Sequence, residues 1–346
     1  MAVAFSVELR PEGPYLPALG LHLDPVAKTA RAFVSHAHVD PFAPTAGGLL
    51  LLSRETVVLH EARGRDVSGA TPMQWSTPVD LPLAGGRGVR AFVVPAGHVL
   101  GAAQLVLDHP GGRLVYTGHF SPRGGRTRPA GSPVPCDDLV IEPSFGLPIF
   151  RFPDRERTIG DIVRYCEERL AAGESVALLA DAASDAQELV HALLERRLPA
   201  TADAEVWEMS AAYERIGAVL GVADGRLSRS PRDASGSSPA VVVLPLLEQR
   251  TGRKARRMRT VLVSGSALLD AAAEQRRADA AFALSDLADF DELVALVRAT
   301  GARRVTTTGA HAGPFASVLR DLGIGATALE GRRDTTASAR PPPEES

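Results

Sequence analysis

The stretch FVSHAHVDPF, residues 33–42, sets His36, His38 and Asp40 at alternate positions. In an extended segment, residues two apart project from the same side. The two imidazoles can therefore grip one ion while Asp40 continues their row. Pro41 stands where a fourth ligand is expected. Two further histidines follow glycine directly at strand-like ends: His98 in VPAGHVLGAAQ and His119 in VYTGHFSP. Glycine there lets the backbone turn sharply and brings an imidazole to a sheet edge. Three imidazoles with a fourth position open make a zinc site suited to hydrolysis, with Asp40 available as base. A fourth nitrogen from His119 would close the shell and make the site structural. The same histidines also read as satisfied core residues of a fold without metal. His22, His60, His109, His191 and His311 lack such settings and read as structural or solvated.

The elements that must position these residues fall into two textures. Up to about residue 150, short apolar runs alternate with Gly, Pro and Asp turns, a β-rich pattern. The runs are ARAFVSH, GLLLLS, ETVVLH, VRAFVVPAG, AQLVLDH, RLVYTGH and DDLVIEPS. Beyond Pro153 helical and strand-like segments alternate. Thr158 can cap a helix whose Ile159, Ile162, Val163, Cys166 and Leu170 share a face, ended by Gly173. Next come strand-like SVALLA, helical DAQELVHALLERR, strand-like AEVWEM, helical AAYERIGAVL, and the apolar runs AVVVLPL and TVLVSGSALL. AAFALS, FDELVALVRAT, RRVTTTG, FASVLRDLG and ATALE continue the alternation, which predicts a parallel α/β sheet. The polar, Pro-rich residues 331–346 are expected to be a disordered tail.

Composition narrows the classes. A chain of 346 residues, 45% hydrophobic, can bury one large core or two moderate ones. The net charge of -3 does not announce a polyanion partner, so a nucleic-acid surface must be local. The run RTGRKARRMR, with Arg253, Lys254, Arg256 and Arg257, is a candidate phosphate-backbone patch, and Arg126 adds charge just beyond His119. The plainer alternative is a solvated arginine-rich loop. Cys136 and Cys166 are the only cysteines, too few for a disulfide framework or a Cys-x-x-Cys knuckle. The N-terminus lacks a signal-peptide pattern and no segment approaches a membrane span, so a cytoplasmic protein with no membrane partner is expected.

The order HAHVD, AGHVLGAAQ, YTGH and IEPSFG resembles the metallo-β-lactamase fold, specifically its β-CASP nuclease branch. Within that branch CDDLVIEPSFGLPIFRFP is similar to bacterial ligase-associated DNA 3'-exonucleases. The aspartate of LHLDP, Asp24, matches the family's first motif, which supports the ligand loop. The resemblance covers nearly the whole chain to about residue 330 and implies an α/β fold. In it, a metallo-β-lactamase αββα sandwich from residues 1–147 and 278–330 carries an inserted β-CASP α/β domain at 148–277. It also implies nucleic-acid processing or DNA repair, a single-stranded or tailed DNA or RNA ligand, and a DNA ligase or repair complex as partner.

The departures are concentrated on one ion. The family's first metal uses two early histidines and that of the third motif, here His36, His38 and His98, all present. Of the second set only Asp40 survives. Pro41 replaces a histidine of the first loop, His119 the bridging aspartate, and Leu287 and Thr308 the two late histidines. Glu142 matches the acidic residue of the first β-CASP motif, which implies a catalytic carboxylate. At most one zinc ion is expected, and exonuclease activity is expected to be weak or absent. Two functions stay open: a one-zinc hydrolase using His36, His38 and His98 with Asp40 as base, and a non-catalytic nucleic-acid-binding protein.

Overall fold

A computed structural model of the protein describes residues 5–39, 48–83, 88–229, 238–246 and 258–329. Asp40, Arg253, Lys254, Arg256, Arg257 and the tail at 331–346 lie outside the described residues. The fold is mixed α/β, with three sheets and seven α-helices among the described residues. In chain order the first sheet holds β1 (Glu8–Arg10), β2 (Gly13–Leu16), β3 (Leu21–Leu23), β4 (Arg31–Phe33), β5 (Leu49–Ser53) and β6 (Ala70–Met73). Helix α1 (Arg54–Ala62) joins the last two. The second sheet is built from β7 (Val79–Leu81), β8 (Val89–Pro95), β9 (Ala103–His109), β10 (Gly112–Tyr116) and β11 (Asp138–Ile141).

Next come α2 (Arg155–Ala171), β12 (Ser175–Ala180), α3 (Asp185–Glu195), β13 (Ala200–Ala202), α4 (Ala204–Ile216), β14 (Ser228–Arg229), β15 (Val241–Pro245), β16 (Met258–Val263), α5 (Asp270–Gln275) and β17 (Ala280–Phe282). Their strands form a third, wholly parallel sheet ordered β14-β13-β15-β12-β16-β17. The chain then returns through α6 (Phe290–Thr300), β18 (Arg304–Thr307), α7 (Ala312–Asp321) and β19 (Ala326–Ala328). β18 pairs with β11, so the last strands complete the second sheet.

Strand alternation divides the apolar residues between layers. Leu21, Leu23, Phe33 and Leu51 of the first sheet share a core with Ala91, Val93, Leu105, Leu107 and Tyr116 of the second. The opposite face of the second sheet, Val106, Val115, Leu139 and Ile141, packs on α6 and α7 through Phe290, Leu293, Phe315 and Leu319. Ala32, Val34, Leu50 and Leu52 face outward from the first sheet, toward Val57 of α1. The third sheet buries Val176, Leu178 and Ala180 against α2, α3 and α4, in a core that also takes Ala37 and Leu59. β17 belongs to this sheet, so its strands extend past residue 277.

Three local expectations are corrected. ETVVLH is helical: the Ser53 side chain accepts from Thr56 N, and Thr56, Leu59 and His60 bury one helical face. AEVWEM is also helical. Asp203 caps it by accepting from Glu205 N, and Val206, Met209 and Tyr213 follow helical spacing into the core. The cap of α2 is Asp154, which accepts from Arg157 N, while Thr158 lies inside the first turn and donates back to Asp154 O. No helix among the described residues is long and apolar enough to cross a membrane.

Candidate metal centre

The histidines follow strand ends on one edge. His36 and His38 come after β4, His98 after β8 and His119 after β10, and Glu142 comes directly after β11. The glycines are sterically required. A Cβ on Gly97, whose φ is +83°, would stand 2.0 Å from Ser121 O and 2.3 Å from Gly131 N. A Cβ on Gly118 would stand 2.4 Å from Ser35 Oγ. Backbone therefore passes where any side chain would collide, and the following imidazole is held at the edge.

The four rings gather around His98, with centroids 4.7 Å (His36), 5.1 Å (His38) and 4.9 Å (His119) from it. Each ring has a polar group beside its outer nitrogen, although His98 Nδ1 makes no hydrogen bond. His36 Nδ1 lies 2.8 Å from Ser35 Oγ, whose hydroxyl donates to Asp24 Oδ2 at 2.5 Å. Because that proton is committed, Ser35 accepts from His36. Asp24 also receives Ser35 N at 2.6 Å and Tyr116 OH at 2.7 Å. His98 Nδ1 is 3.3 Å from Asp286 Oδ1, and His119 Nε2 is 3.3 Å from Glu142 Oε1. His38 Nε2 is 2.9 Å from Asp181 Oδ1. The hydrogen bonds at His36 and His38 place the ring proton on the outer nitrogen, and the carboxylates beside His98 and His119 favour the same arrangement through their charge.

The inner nitrogens face one another. His98 Nε2 is 3.1 Å from His38 Nδ1 and 3.4 Å from His119 Nδ1. One ring nitrogen each from His36, His98 and His119 lies within 4.8 Å of the others, and His36 Nε2 is buried without a hydrogen-bond partner. Nitrogens sharing a tetrahedral zinc at ~2.0–2.1 Å stand about 3.3 Å apart. Ring nitrogens at that spacing are held together either by a shared ring proton or by a cation between them, and the donor set fits a metal ion. His38 belongs to the gathering through His98 but not to the mutually close three, so the set centres on His36, His98 and His119.

Electrostatics agree for His36 and His98 and run the other way for His119. Burial and the neighbouring rings His119, His98 and His38 hold His36 well below the usual histidine pKa. Burial pushes His98 down to about 4 although Asp286 opposes it. Both are neutral near pH 7, the form that ligates. Burial would lower His119 as well, but Glu142 outweighs it and lifts the ring above the ordinary value.

Other sequence-marked residues are placed as follows. Arg126 is committed to Glu156 (2.6 Å) and Glu195 (3.2 Å). Thr308 is buried, with its N–H on Ile141 O, and the carbonyl of Leu287 accepts from Arg123. His311 Nδ1 is bound to Ser144 O at 2.7 Å, away from the four rings. Sequence reasoning missed Asp181 and Asp286. Asp286 stands in LSDLADF beside the position marked for a lost histidine; nothing local marks Asp181.

No family profile matches the chain. It is 32% identical to a probable DNA ligase of Opitutus terrae over 92% of its own length. It is 27% identical to an RNase J-like protein of Methanocaldococcus jannaschii over 45% of its length, and 34% identical to cleavage and polyadenylation specificity factor subunit 3-I of Arabidopsis thaliana over 30%. The chain spans only 30%, 41% and 15% of these relatives' own lengths. Among solved structures, a protein of unknown function from Enterococcus faecalis superposes with a TM-score of 0.54 at 14% identity, over 81% of this chain and 74% of that one. That likeness speaks for the fold alone.

Proposed function

We propose that the protein is a divergent β-CASP nuclease-like protein that binds nucleic acid and holds one zinc ion, with weak or no exonuclease activity. In this reading residues 1–147 and the returning segment from α6 onward form the αββα body, and the parallel α/β unit between them, which includes β17, is the β-CASP insertion. The convergence of the inner nitrogens of His36, His98 and His119, with His38 Nδ1 beside His98 Nε2, carries the proposal. A bound zinc would supply Lewis acidity, and a fourth nitrogen leaves little of it open to substrate. The residues of the chain do the rest. Ser35 with Asp24, Asp181, Asp286 and Glu142 hold the ring protons outward, and His119 fills the place of the family's bridging carboxylate. Without that carboxylate a second ion loses the group that would fix it beside the first, and in-line phosphodiester cleavage loses one of its two charge clamps.

One observation favours a second reading, a one-zinc hydrolase on His36, His38 and His98 with Asp40 as base. The His38 and His119 side chains remain 23% and 22% exposed, so the cluster opens to solvent on that side. Glu142 stands there as a further carboxylate.

Metal analysis and nuclease assays on single-stranded and tailed DNA separate these readings. The proposal expects about one zinc per chain, lost in His98→Ala, and little digestion with zinc or manganese. Robust digestion abolished by His98→Ala would establish the hydrolase instead. Binding should rest on the Arg253–Arg257 run, because Arg126 is already neutralised by two carboxylates. Reversing Arg256 and Arg257 to glutamate should abolish binding, whose affinity should fall steeply with salt through counterion release. Unchanged binding in that variant would sink the assignment of the run. Whether a DNA ligase is the partner is tested by co-purification with one.

A further inference from the structure

Three of the four rings are oriented by the two-sheet unit and its returning segment, through Ser35, Asp286 and Glu142. His38 is oriented from the parallel α/β unit. Its partner, Asp181, is the residue directly after β12, and Asp181 Oδ1 also accepts from Ala183 N at 2.9 Å. The loop that carries it is pinned to the loop of His98. Tyr213 OH donates to Ala183 O at 2.5 Å and accepts from Leu100 N at 3.2 Å, and Ser184 Oγ reaches His98 O at 3.4 Å.

We propose that Asp181 is a positioning residue of the metal centre, through which the parallel α/β unit presents His38 to the ion. By accepting from Nε2–H, the carboxylate fixes the tautomer and turns Nδ1 inward, to 3.1 Å from His98 Nε2. Without it the ring, on the solvent-facing side of the cluster, is free to rotate and to carry its proton on either nitrogen. The fourth nitrogen is then supplied only while the α/β unit is seated on the two-sheet unit. This rests on the metal-binding reading above.

The test measures zinc affinity by competition with a chromophoric chelator, and the visible spectrum of the cobalt(II) form, which reports ligand geometry. Wild type is compared with His98→Ala, Asp181→Ala, Asp181→Asn, His38→Ala and the Asp181→Ala/His38→Ala pair. Loss of an outer-shell partner should weaken binding about 10–100-fold in Asp181→Ala and shift the cobalt spectrum. Asp181→Asn, whose amide oxygen still accepts from Nε2–H, should recover most of the affinity. The double variant should bind no worse than His38→Ala, because Asp181 acts through that ring. If wild type binds zinc no better than His98→Ala, the metal reading itself fails. If wild type binds and Asp181→Ala matches it, only the role of Asp181 is overturned. A further loss in the double variant would make Asp181 a ligand in its own right and likewise overturn positioning.

Discussion

Glu188 on α3 is the test of what locks the parallel α/β unit to the two-sheet unit. Its side chain is 0% exposed and lies between Arg128 (3.7 Å, 0% exposed) and Arg155 (3.5 Å, 6% exposed). It accepts from Arg126 N at 3.0 Å, Thr127 N at 2.9 Å and Thr127 Oγ at 2.5 Å. Glu188→Ala would orphan three donors and leave buried Arg155 facing Asp185, and buried Arg128 with Asp286 and Asp185. Burial and Asp286 push Asp185 up to about 7, so it is a poor substitute counter-charge. Breaking a buried charge pair costs about 3–5 kcal/mol. Arg126→Ala, in the same loop but paired with half-exposed carboxylates, should cost less than about 1 kcal/mol. Thermal unfolding by circular dichroism should therefore show Glu188→Ala melting roughly 4–7 °C lower and Arg126→Ala near wild type. Fluorescence adds resolution, since Trp75 sits beside the second sheet and Trp207 on α4.

The pH dependence has a definite sign. Burial would raise Glu188, but Arg128, Arg155 and Thr127 outweigh it and hold the carboxyl below the usual glutamate value. A carboxyl that titrates lower folded than unfolded contributes its full stability above the ordinary glutamate pKa. The contribution fades as pH falls through the folded value. The gap between wild type and Glu188→Gln should be flat from about pH 6 to 8 and close below about pH 4. A Glu188→Ala protein melting within about 2 °C of wild type would refute the lock.

Three further outcomes are expected. Ser35→Ala removes the acceptor of His36 Nδ1 and one of Asp24's donors; zinc affinity should fall about tenfold or more, with roughly 1–3 kcal/mol of stability, both readable by chelator competition and urea unfolding. Gly97→Ala drives a Cβ into Ser121 O and Gly131 N, so the His98 loop must shift; loss of stoichiometric zinc with a lowered melting point is expected, and wild-type zinc content would refute it. Asp289 caps α6 by accepting from Glu292 N and also accepts from Phe152 N; Asp289→Ala should cost about 1–2 kcal/mol in urea unfolding without changing zinc affinity.

The amino-acid sequence by itself marked the four histidines that the structure brings together. Alternation at His36 and His38 fixes side-chain direction within one strand end, and a glycine before His98 and His119 marks where backbone must pass too closely for a Cβ. Apolar period likewise marked α2, α3, α6 and most strands. It failed at ETVVLH and AEVWEM, where short β-branched and aromatic runs suit either element. There the choice fell to Ser53 and Asp203 as caps and to the core behind Leu59 and Met209. Tertiary structure alone decided which nitrogen of each ring is free to bind. That depends on what meets the outer nitrogen, and for His38 the partner, Asp181, is 143 residues away. Local spacing sets where a side chain points. It carries no information about which distant carboxylate the packing of separate sheets will bring to its far side.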